Sequence, residues 1–557
     1  MTALAGSADG ARSAPAVLVF PSSQTIGPTG LPAGGATAVT LNAAIGEREG
    51  AWIVVTGAPQ VAATVDVPAL GGLGAEIAWA HYVHFDAGDV PDALLPWGGE
   101  ARATERPNQP LYLRVIVPDG ASPGVYRTTV TVTADGAAVP VPVTVHVFPV
   151  RLPPPSSGGG NLLTSFHVIP ETYVKKTAEV FGLRDNAARS AANLSLFRFL
   201  AAYRISSASW GFGEPGSTAG YAPSDRWWLD SAGNMAAEAD AGGGFSAMRI
   251  PISTNHASAA SRTAGVNPGQ PDTWCGYLGA IRSFWASHGW LDGVRVPYLY
   301  TADEPSLQGM RLAAQQAKVG HACFPGSKVL ITANPSLTNR FLWDGKDGDD
   351  VDIWAVLSRR YYGEFTNPAA PENRARDKLE AVAAARKAGK MIWSYTYGAV
   401  AGSPGYAASE PLSDPRMFLL WNALEGIRGT LYGDGFANYP SGNPFASLPK
   451  NGLTVLVYPG AAAPIPSARL EQIRDGIEDW ALLNLVRTKF GAARVRTLLG
   501  GAGLFSANTA GVRLACHLGC ELKSAAKYSW PSWSHDATTA SHIETAHLEA
   551  LKLASAS

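Results

Sequence analysis

Strong charge of either sign is missing from this sequence. Its 44 lysines and arginines nearly balance its 45 aspartates and glutamates, so the 557 residues carry a formal net charge of −1. A protein that binds nucleic acid needs a basic surface to attract phosphate groups, so we expect no nucleic-acid partner. Long apolar runs are missing too. Since a membrane span needs about 18 or more apolar residues in a row, we expect no such span.

Cysteine is scarce, which limits the metal sites that the chain could form. The chain has four cysteines, and none belongs to a paired C-x-x-C zinc motif. Cys516 and Cys520 flank His517, but without a partner motif a disulfide or inert thiols are favoured over a metal site. The other two are Cys275 and Cys323. The sequence therefore predicts neither a metal site nor a cofactor.

The first 16 residues, MTALAGSADGARSAPA, lack the apolar central region of a signal peptide. They resemble a flexible leader that remains after a signal has been removed. The even number of cysteines fits an oxidising compartment. We therefore expect a secreted or extracytoplasmic protein in which residues 1–16 are a flexible segment.

Residues 17–150 show the alternation of apolar and polar residues that is typical of β-strands. The stretch VYRTTVTVTADGAAVPVPVTVHVFPV is the clearest case, with a turn at its Asp-Gly pair. Long helical periodicity is absent, and the pattern predicts an antiparallel β-sandwich of the immunoglobulin-like kind. Residues 151–160, RLPPPSSGGG, combine three prolines with serine and glycine and predict a linker.

Strands alternate with helices in residues 161–500, and this alternation predicts a TIM-type (β/α)8 barrel, with residues 501–557 as a C-terminal extension. We therefore expect a multidomain chain. A doubly wound open sheet is the main alternative, but the first strand lacks the glycine-rich phosphate turn usual in such sheets. We count eight candidate strands, although seven would fit the pattern equally well. They are Leu162–Val168, Arg204–Trp210, Met248–Ser253, Val294–Tyr300, Lys328–Ala333, Asp352–Leu357, Met391–Tyr397 and Gly426–Tyr432.

Two adjacent acids, Asp303 and Glu304, end the fourth candidate strand, and Pro305 follows them. Charge is costly to remove from water, so carboxylates at the end of a core strand must be paired or used. In a (β/α)8 barrel the active site lies at the carboxyl ends of the strands. We therefore predict that Asp303 and Glu304 are the catalytic residues.

Aromatic, amide and acidic residues follow several of the other candidate strands. Together they would line a polar pocket with faces on which a sugar ring can stack. Each also has an ordinary alternative, because a tyrosine in an alternating strand can face the core and an aspartate between glycines can form a turn. The predicted substrate-binding residues are Trp210, Asn334, Tyr361, Tyr395, Tyr397 and Asp434.

A long amphipathic helix rich in acids is predicted in SARLEQIRDGIEDWALLNLVRTKFG. Asp475 and Asp479 share one face of this helix, with Glu478 and Arg474 nearby. We predict a structural network of salt bridges there rather than a catalytic cluster. In the last predicted helix, His547 and the histidine five residues before it lack the spacing of a zinc-binding helix, and we expect both on the surface.

Neighbouring acids suit one kind of glycoside hydrolysis in particular. Ordinary retaining enzymes use two carboxyl groups about 5 Å apart, usually from different strands. Consecutive residues diverge, so Asp303 and Glu304 fit better with a substrate-assisted reaction, in which the 2-acetamido oxygen of the sugar attacks the anomeric carbon. Asp303 would then hold the acetamido N–H, while Glu304 would protonate the leaving group and later activate water.

The motif YLYTADEPS resembles the Y-x-x-DEP centre of glycoside hydrolase family 123 and of the wider group of bacterial proteins that share its catalytic domain. Later blocks of that domain are similar to VDIWAVLS, MIWSYTYG, FLLWNALEGIRGTLYGDG and PIPSARLEQIRDGIEDW, and the resemblance spans about 162–483. It implies a (β/α)8 fold and exo-acting β-N-acetylgalactosaminidase chemistry through substrate assistance. The adjacent acids of the family correspond to Asp303 and Glu304.

Three functions stay open on the sequence alone. The first is a retaining exo-hydrolase that removes terminal β-linked N-acetylgalactosamine from a glycan or glycoconjugate. The second is a glycosidase for a sugar without an acetamido group, which would need a separate nucleophile or base, with Asp434 as the candidate. The third is a non-catalytic carbohydrate-binding protein, since sandwich domains often only bind or support.

Overall fold

The computed structural model describes residues 15–210, 226–241, 244–250, 271–344, 351–358, 361, 375–396, 404–433, 436–505 and 537–556. A β-sandwich comes first, and a parallel sheet flanked by helices follows it. The helices in this part of the chain are all too short or too polar to cross a bilayer.

Ten strands build the sandwich as two five-stranded sheets, in the orders β1-β3-β8-β5-β6 and β2-β10-β9-β4-β7. The pairs are antiparallel except that of β10 with β2, which is parallel. Alternation explains the packing: Val130, Val132 and Ala134 of β9 are buried between the sheets, and the residues between them are partly exposed. The strands are β1 (Ala16–Pro21), β2 (Val39–Ile45), β3 (Arg48–Thr56), β4 (Gln60–Val65), β5 (Gly74–Phe85), β6 (Gly88–Pro96), β7 (Arg102–Ala103), β8 (Asn108–Ile116), β9 (Gly124–Ala134) and β10 (Ala137–Arg151).

Seven parallel strands form the second sheet, in the order β11-β17-β16-β15-β14-β13-β12. The first and last strands in sequence, β11 and β17, are hydrogen-bonded neighbours, so the sheet curls into a nearly closed, barrel-like ring. The strands are β11 (Leu163–Phe166), β12 (Ala247–Arg249), β13 (Val296–Ala302), β14 (Lys328–Ile331), β15 (Ile353–Leu357), β16 (Met391–Tyr395) and β17 (Gly429–Tyr432), and a short ribbon of β18 (Val457–Tyr458) and β19 (Ile465–Pro466) follows.

Helices connect the strands of this sheet and extend beyond it. They are α1 (Pro170–Phe181), α2 (Asn186–Ala202), α3 (Arg226–Asp240), α4 (Pro271–Ser287), α5 (Leu307–Cys323), α6 (Ala375–Lys387), α7 (Asp414–Glu425), α8 (Ala468–Phe490), α9 (Ala492–Gly501) and α10 (Thr539–Ser555). Cys323, the last residue of α5, is disulfide-bonded, and the described residues include no free cysteine.

The predicted second strand, Arg204–Trp210, does not form as a regular strand, so eight strands are not confirmed. Arg204 has a positive φ of 59°, and one isolated bridge from Phe166 to Ser207 replaces a ladder. Side-chain hydroxyls fill the gap between β11 and β12: the Ser206 amide donates to Thr164 Oγ1 over 2.9 Å, and the Ser246 amide donates to the Ser206 hydroxyl over 2.9 Å. The position that a strand would take is therefore occupied by an irregular, serine-rich segment.

Large side chains fill the interior of the curled sheet. Tyr298 packs edge-on against Trp393 with ring centroids 5.4 Å apart, and its hydroxyl lies 2.5 Å from Ser165 Oγ. Gly429 leaves the room that Trp393 needs, since a Cβ at that position would lie 2.5 Å from the indole. The interior is thus a packed core rather than a pore. The last residues of the strands form the base of the opening at their carboxyl ends, which is called the mouth below.

Helix α8 is buried along almost its whole length, although an exposed polar face was predicted for it. It lies against α7, α10 and the sandwich. The predicted salt-bridge network is confirmed: Arg474 pairs with Asp475 over 2.5 Å, Arg416 Nε lies 2.6 Å from Asp479, and Arg204 Nε lies 3.1 Å from Glu478. A further acid of this helix, Glu471, pairs with Arg114 of the sandwich, so the network also joins the two domains.

The prediction that His547 lies on the surface is wrong, because this residue of α10 is almost completely buried. Its Nδ1 lies 2.8 Å from Asp479 Oδ1, and its Nε2 lies 3.0 Å from the carbonyl oxygen of Asn42. Burial opposes a charge here, but Glu47, Glu49 and Asp479 together raise the pKa of His547 well above its usual value. Glu47, Glu49 and His547 are close enough to share a cation, but the hydrogen bonds at both ring nitrogens fit an imidazolium.

Replacing Arg416 by methionine is expected to destabilise the protein by about 3–5 kcal/mol, because removal of one partner leaves buried carboxylates uncompensated. Its guanidinium is fully buried and lies within 4.0 Å of Asp479, Asp475, Glu49 and Glu544. Urea unfolding followed by circular dichroism measures the change.

The matched control for that substitution is Arg340→Met, which removes a half-exposed partner of Asp344. Exposed pairs contribute at most about 1 kcal/mol, so the control should unfold almost like the wild type. Equal urea midpoints for the two variants would show that the Arg416 network does not hold the domains together.

Candidate active site

The acid pair lies between the carboxyl end of β13 and the start of α5, at the mouth of the curled sheet. Ser306 caps α5 by accepting a hydrogen bond from the Gly309 amide over 3.2 Å. Both Asp303 and Glu304 are exposed, so a solute can reach their carboxylates. In parallel sheets flanked by helices, this is the end at which ligands bind.

A bulge at the end of β13 turns the chain just before the acids. Tyr300 pairs with Leu330 and Ala302 pairs with Ile331, so Thr301 is an extra residue between two successive pairs. Bulges of this kind often re-aim a side chain beside an active site. Here the bulge brings Tyr300 and the Asp303 carboxylate to the same side.

Asp303 is fixed through one of its two carboxylate oxygens. Tyr300 Oη donates to Oδ1 over 2.6 Å, and Thr332 Oγ1 donates to the same atom over 2.9 Å. Burial and the neighbouring Asp303 raise the pKa of Tyr300 well above its usual value, so the phenol keeps its proton and stays a donor. Among the described residues, none donates a hydrogen bond to Oδ2. That oxygen is available to a ligand.

Glu304 is held in a strained conformation. Its φ is +39°, a region that costs a residue with a side chain about 1–3 kcal/mol and that occurs preferentially at functional sites. Its amide donates to Thr332 Oγ1 over 2.6 Å, and its Oε1 accepts a hydrogen bond from Tyr395 Oη over 2.5 Å. Burial and this hydrogen bond raise the pKa of Tyr395, which therefore remains protonated.

Thr332 links the two acids, since its hydroxyl contacts the Asp303 carboxylate and the Glu304 amide. The sequence did not identify Thr332 or Tyr300 as site residues. The signal that could have found them is the alternation of β13 and β14, because an inward residue at each strand end must face the mouth.

Two basic residues of the mouth were also missed. Arg249 ends β12, and its guanidinium lies 5.1 Å from the centroid of the Tyr300 ring. His167 follows β11, and burial, together with the positive charge of Arg249, lowers the pKa of this imidazole. His167 is therefore neutral near pH 7 and can either donate or accept a hydrogen bond.

The structure brings Asp303, Glu304 and Tyr395 together, but it places two other predicted residues in the core. Trp210 is buried, and its indole N–H donates to the buried Glu238. Tyr361 is buried as well and packs edge-on against Trp421. The polar atoms of both side chains form hydrogen bonds within the protein, from Trp210 to Glu238 and from Tyr361 to Glu425. Contact with a sugar stays a prediction for both.

Asn334 lies two residues beyond Thr332, in the loop after β14, and is half-buried. Its carbonyl oxygen accepts a hydrogen bond from Asn339 over 3.0 Å, which fixes the course of the loop. Tyr397 and Asp434 lie outside the described residues. The substrate-binding role of all three stays a prediction.

The geometry gives the two carboxylates different surroundings. Asp303 is anchored by two hydroxyl donors and presents one oxygen outward, whereas Glu304 accepts a hydrogen bond from the Tyr395 phenol and lies on a turn with strained backbone. One carboxylate can thus serve as a fixed negative charge, and the other can exchange a proton with a bound molecule.

Comparison with known proteins shows which catalytic domain this region is similar to. Residues 247–486 match the model of the glycoside hydrolase 123 catalytic domain. The whole chain is similar in fold to a family 123 glycoside hydrolase from Clostridium perfringens, whose structural analysis concerned glycolipid glycan hydrolysis. That likeness has a TM-score of 0.64 at 12% identity and covers 97% of this chain and 98% of the other.

More distant solved structures share only parts of the architecture. A putative alpha-galactosidase from Bacteroides fragilis matches with a TM-score of 0.27 at 11% identity, over 80% of this chain and 77% of that one. An endo-beta-1,4-mannanase from Thermotoga petrophila matches with a TM-score of 0.31 at 11% identity, over 58% and 77%. Likenesses this weak carry no argument about function. No curated protein matches this sequence.

Proposed function

We propose that the protein is a retaining exo-hydrolase that removes terminal β-linked N-acetylgalactosamine by substrate assistance. The proposal is supported by the match of residues 247–486 to the model of the glycoside hydrolase 123 catalytic domain. The observation that supports this most is the pair of adjacent, exposed acids, fixed by different donors through one shared threonine. A glycan or glycoconjugate is the substrate.

Asp303 acts as the residue that directs the acetamido group. Its Oδ2 accepts the acetamido N–H of the sugar, while Tyr300 and Thr332 hold Oδ1 in place. The acetamido carbonyl oxygen then forms a bond to the anomeric carbon as the glycosidic bond breaks, which gives an oxazolinium ion. The negative charge of Asp303 stabilises the positive charge that develops on this ring.

Glu304 supplies and recovers the proton. As the glycosidic bond breaks, its carboxylic acid protonates the leaving oxygen, and the carboxylate that results removes a proton from the incoming water. Water attacks the anomeric carbon from the face that the aglycone left, so the product keeps the β configuration. The Tyr395 hydroxyl orients the Glu304 carboxyl group between the two steps.

A panel of aryl glycosides tests the function. We expect turnover of aryl β-N-acetylgalactosaminide, release of the β anomer as seen by proton NMR, and competitive inhibition by the thiazoline analogue of the oxazoline. Because it resembles the charged intermediate, the thiazoline should bind about 100-fold or more tightly than the substrate.

The other functions give different results in the same panel. Turnover of a galactoside or arabinoside, with a fluorosugar trapped on the enzyme, would replace the proposal with a two-carboxylate mechanism. If aryl β-N-acetylgalactosaminide is untouched and the thiazoline does not bind, the proposal is wrong.

A further inference from the structure

A cleft of about 630 Å³ lies between the sandwich and the helices around the parallel sheet. This volume falls within the range of about 300–1,000 Å³ that is typical of small-molecule sites, which occur preferentially at domain interfaces. Its lining includes Arg48, Glu76, Trp97, Arg114 and Tyr203.

The cleft is separate from the acid pair. Its barrel side is formed by the end of α2, just before Arg204 begins the irregular segment. That point lies at the amino-terminal side of the parallel strands, whereas Asp303 and Glu304 follow the carboxyl end of β13. The lining also includes Ala463, Pro464 and Pro466, and none of the residues that line the cleft is among those described at the mouth.

Arg48 is a cation without an anionic partner. Its guanidinium lies 5.9 Å from the Tyr203 ring centroid, and within the described residues no carboxylate forms an ion pair with it. Its backbone is fixed, since the amide donates to Glu478 and the carbonyl accepts from Arg474. Burial and the nearby Arg474 lower the pKa of Arg48, as expected of a cation that lacks a counter-ion.

The other charged residues of the cleft do not neutralise Arg48. Arg114 pairs with the fully buried Glu471 and, over 2.7 Å, with Glu76. Both acids pair with Arg114 and neither forms an ion pair with Arg48, so the charge of Arg48 is the one left for a ligand to meet. An anion is the ligand that this charge selects.

An aromatic ring stands in the same lining. Trp97 is half-buried, and its orientation is fixed by a hydrogen bond from its indole N–H to the Glu100 carbonyl over 3.0 Å. Its ring also packs edge-on against Trp79, with centroids 5.2 Å apart. A rigid ring beside polar groups suits a ligand that has both an apolar face and hydroxyl groups.

We propose that this cleft binds an acidic sugar residue of a glycan, with its carboxylate or sulfate on Arg48 and its ring against Trp97. The choice of a sugar rests on the glycoside hydrolase domain, but not on specificity for N-acetylgalactosamine. The cleft would hold an acidic branch of the glycan at a distance from the bond that is cleaved.

Isothermal titration of the full-length protein tests the proposal with four probes: glucuronic acid, galactose 6-sulfate, neutral galactose and inorganic sulfate. We expect at least one acidic sugar to bind about tenfold or more tightly than galactose, and Arg48→Gln to abolish that advantage, because hydrogen bonds to a charged group are lost. Preference for the first or the second probe identifies carboxylate or sulfate as the anion.

Two further variants separate the parts of the site. Arg151→Gln removes an exposed arginine that pairs with Asp119 outside the cleft, and it should bind the acidic sugar like the wild type. Trp97→Ala should weaken the acidic sugar but not inorganic sulfate. Hydrolysis of an aryl glycoside should stay unchanged in all of these variants, so a failure of binding is distinct from a failure of the proposed function.

Three results would overturn the proposal. One is the absence of saturable binding by either acidic sugar. Another is wild-type binding of the acidic sugar by Arg48→Gln. If that variant does not fold, wild-type binding by the double variant Arg48→Lys, Trp97→Ala would overturn the proposal in the same way. The third is inorganic sulfate binding as tightly as the acidic sugars, with no effect of Trp97→Ala.

Discussion

Glutamine in place of Glu304 is expected to lower kcat for an unactivated β-N-acetylgalactosaminide by about two to four decades. The amide keeps the size of the side chain and its contact with Tyr395, but it can neither protonate the leaving oxygen nor remove a proton from water. Kinetics on two substrates, one with a poor and one with an activated leaving group, measure the effect. The deficit in kcat/KM should be much smaller for the activated aryl group, because this parameter reports the steps up to departure of the aryl group, which leaves without a proton.

The matched control is Glu549→Gln, which changes a half-exposed acid of α10 that pairs with Lys552. It should hydrolyse both substrates like the wild type. Azide should restore turnover of the activated substrate by the Glu304 variant, since this anion needs no general base. An equal loss on both substrates, without rescue by azide, would contradict proton transfer by Glu304.

Asparagine in place of Asp303 is expected to lower kcat by about two to four decades as well, through a different step. The variant loses the negative charge that stabilises the oxazolinium, and its amide group can present a donor to the acetamido N–H. Affinity for the thiazoline should fall in parallel with the rate, because the inhibitor carries the same developing charge. Inhibition constants and single-turnover rates measure the two losses.

Asp119→Asn provides the control for that substitution, because Asp119 is an exposed aspartate that pairs with Arg151 on the sandwich. Its rate and thiazoline affinity should match those of the wild type. If Asp303→Asn loses rate but binds the thiazoline as tightly as before, Asp303 does not contact the acetamido group, and substrate assistance through this residue is wrong.

The acid pair could be predicted from the sequence because its signal is local. Two adjacent acids end an apolar strand and precede a proline, and one stretch of chain contains all of that information. Tyr300 and Thr332 could not be assigned in this way. Their contact with Asp303 depends on the bulge in β13 and on its register with β14, and neither is written in the spacing of apolar residues.

The parallel architecture could be predicted for a similar reason, because each strand and each helix shows its own characteristic spacing of apolar residues. The segment after Arg204 differs from the predicted strand because it forms one backbone bridge, to Phe166, and hydroxyl side chains supply further hydrogen bonds in place of a ladder. The apolar residues of this stretch, taken alone, indicated a strand. Its serines, whose hydroxyl groups can bond to nearby backbone groups, indicated irregular structure instead.

The acids of α8 were recognised as structural, but the depth of their burial was not. Helical periodicity places charged residues on one face and normally leaves that face in water. Here the sandwich and α10 cover it, and the partners Arg416 and His547 come from distant parts of the chain. Only long-range contacts, which a single sequence does not display, turn a polar face into an interior one.

The imidazole of His547, which joins Asn42 to Asp479, affects how the protein folds during its synthesis. Its two partners lie 505 and 68 residues before it, so the ribosome completes both domains long before the side chain that bridges them exists. Until then Glu47 and Glu49 lack the imidazolium, and Glu49 has Arg416 alone as a cationic partner among the described residues. The nascent sandwich is therefore expected to sample loosened states until α10 has been synthesised and packs against it.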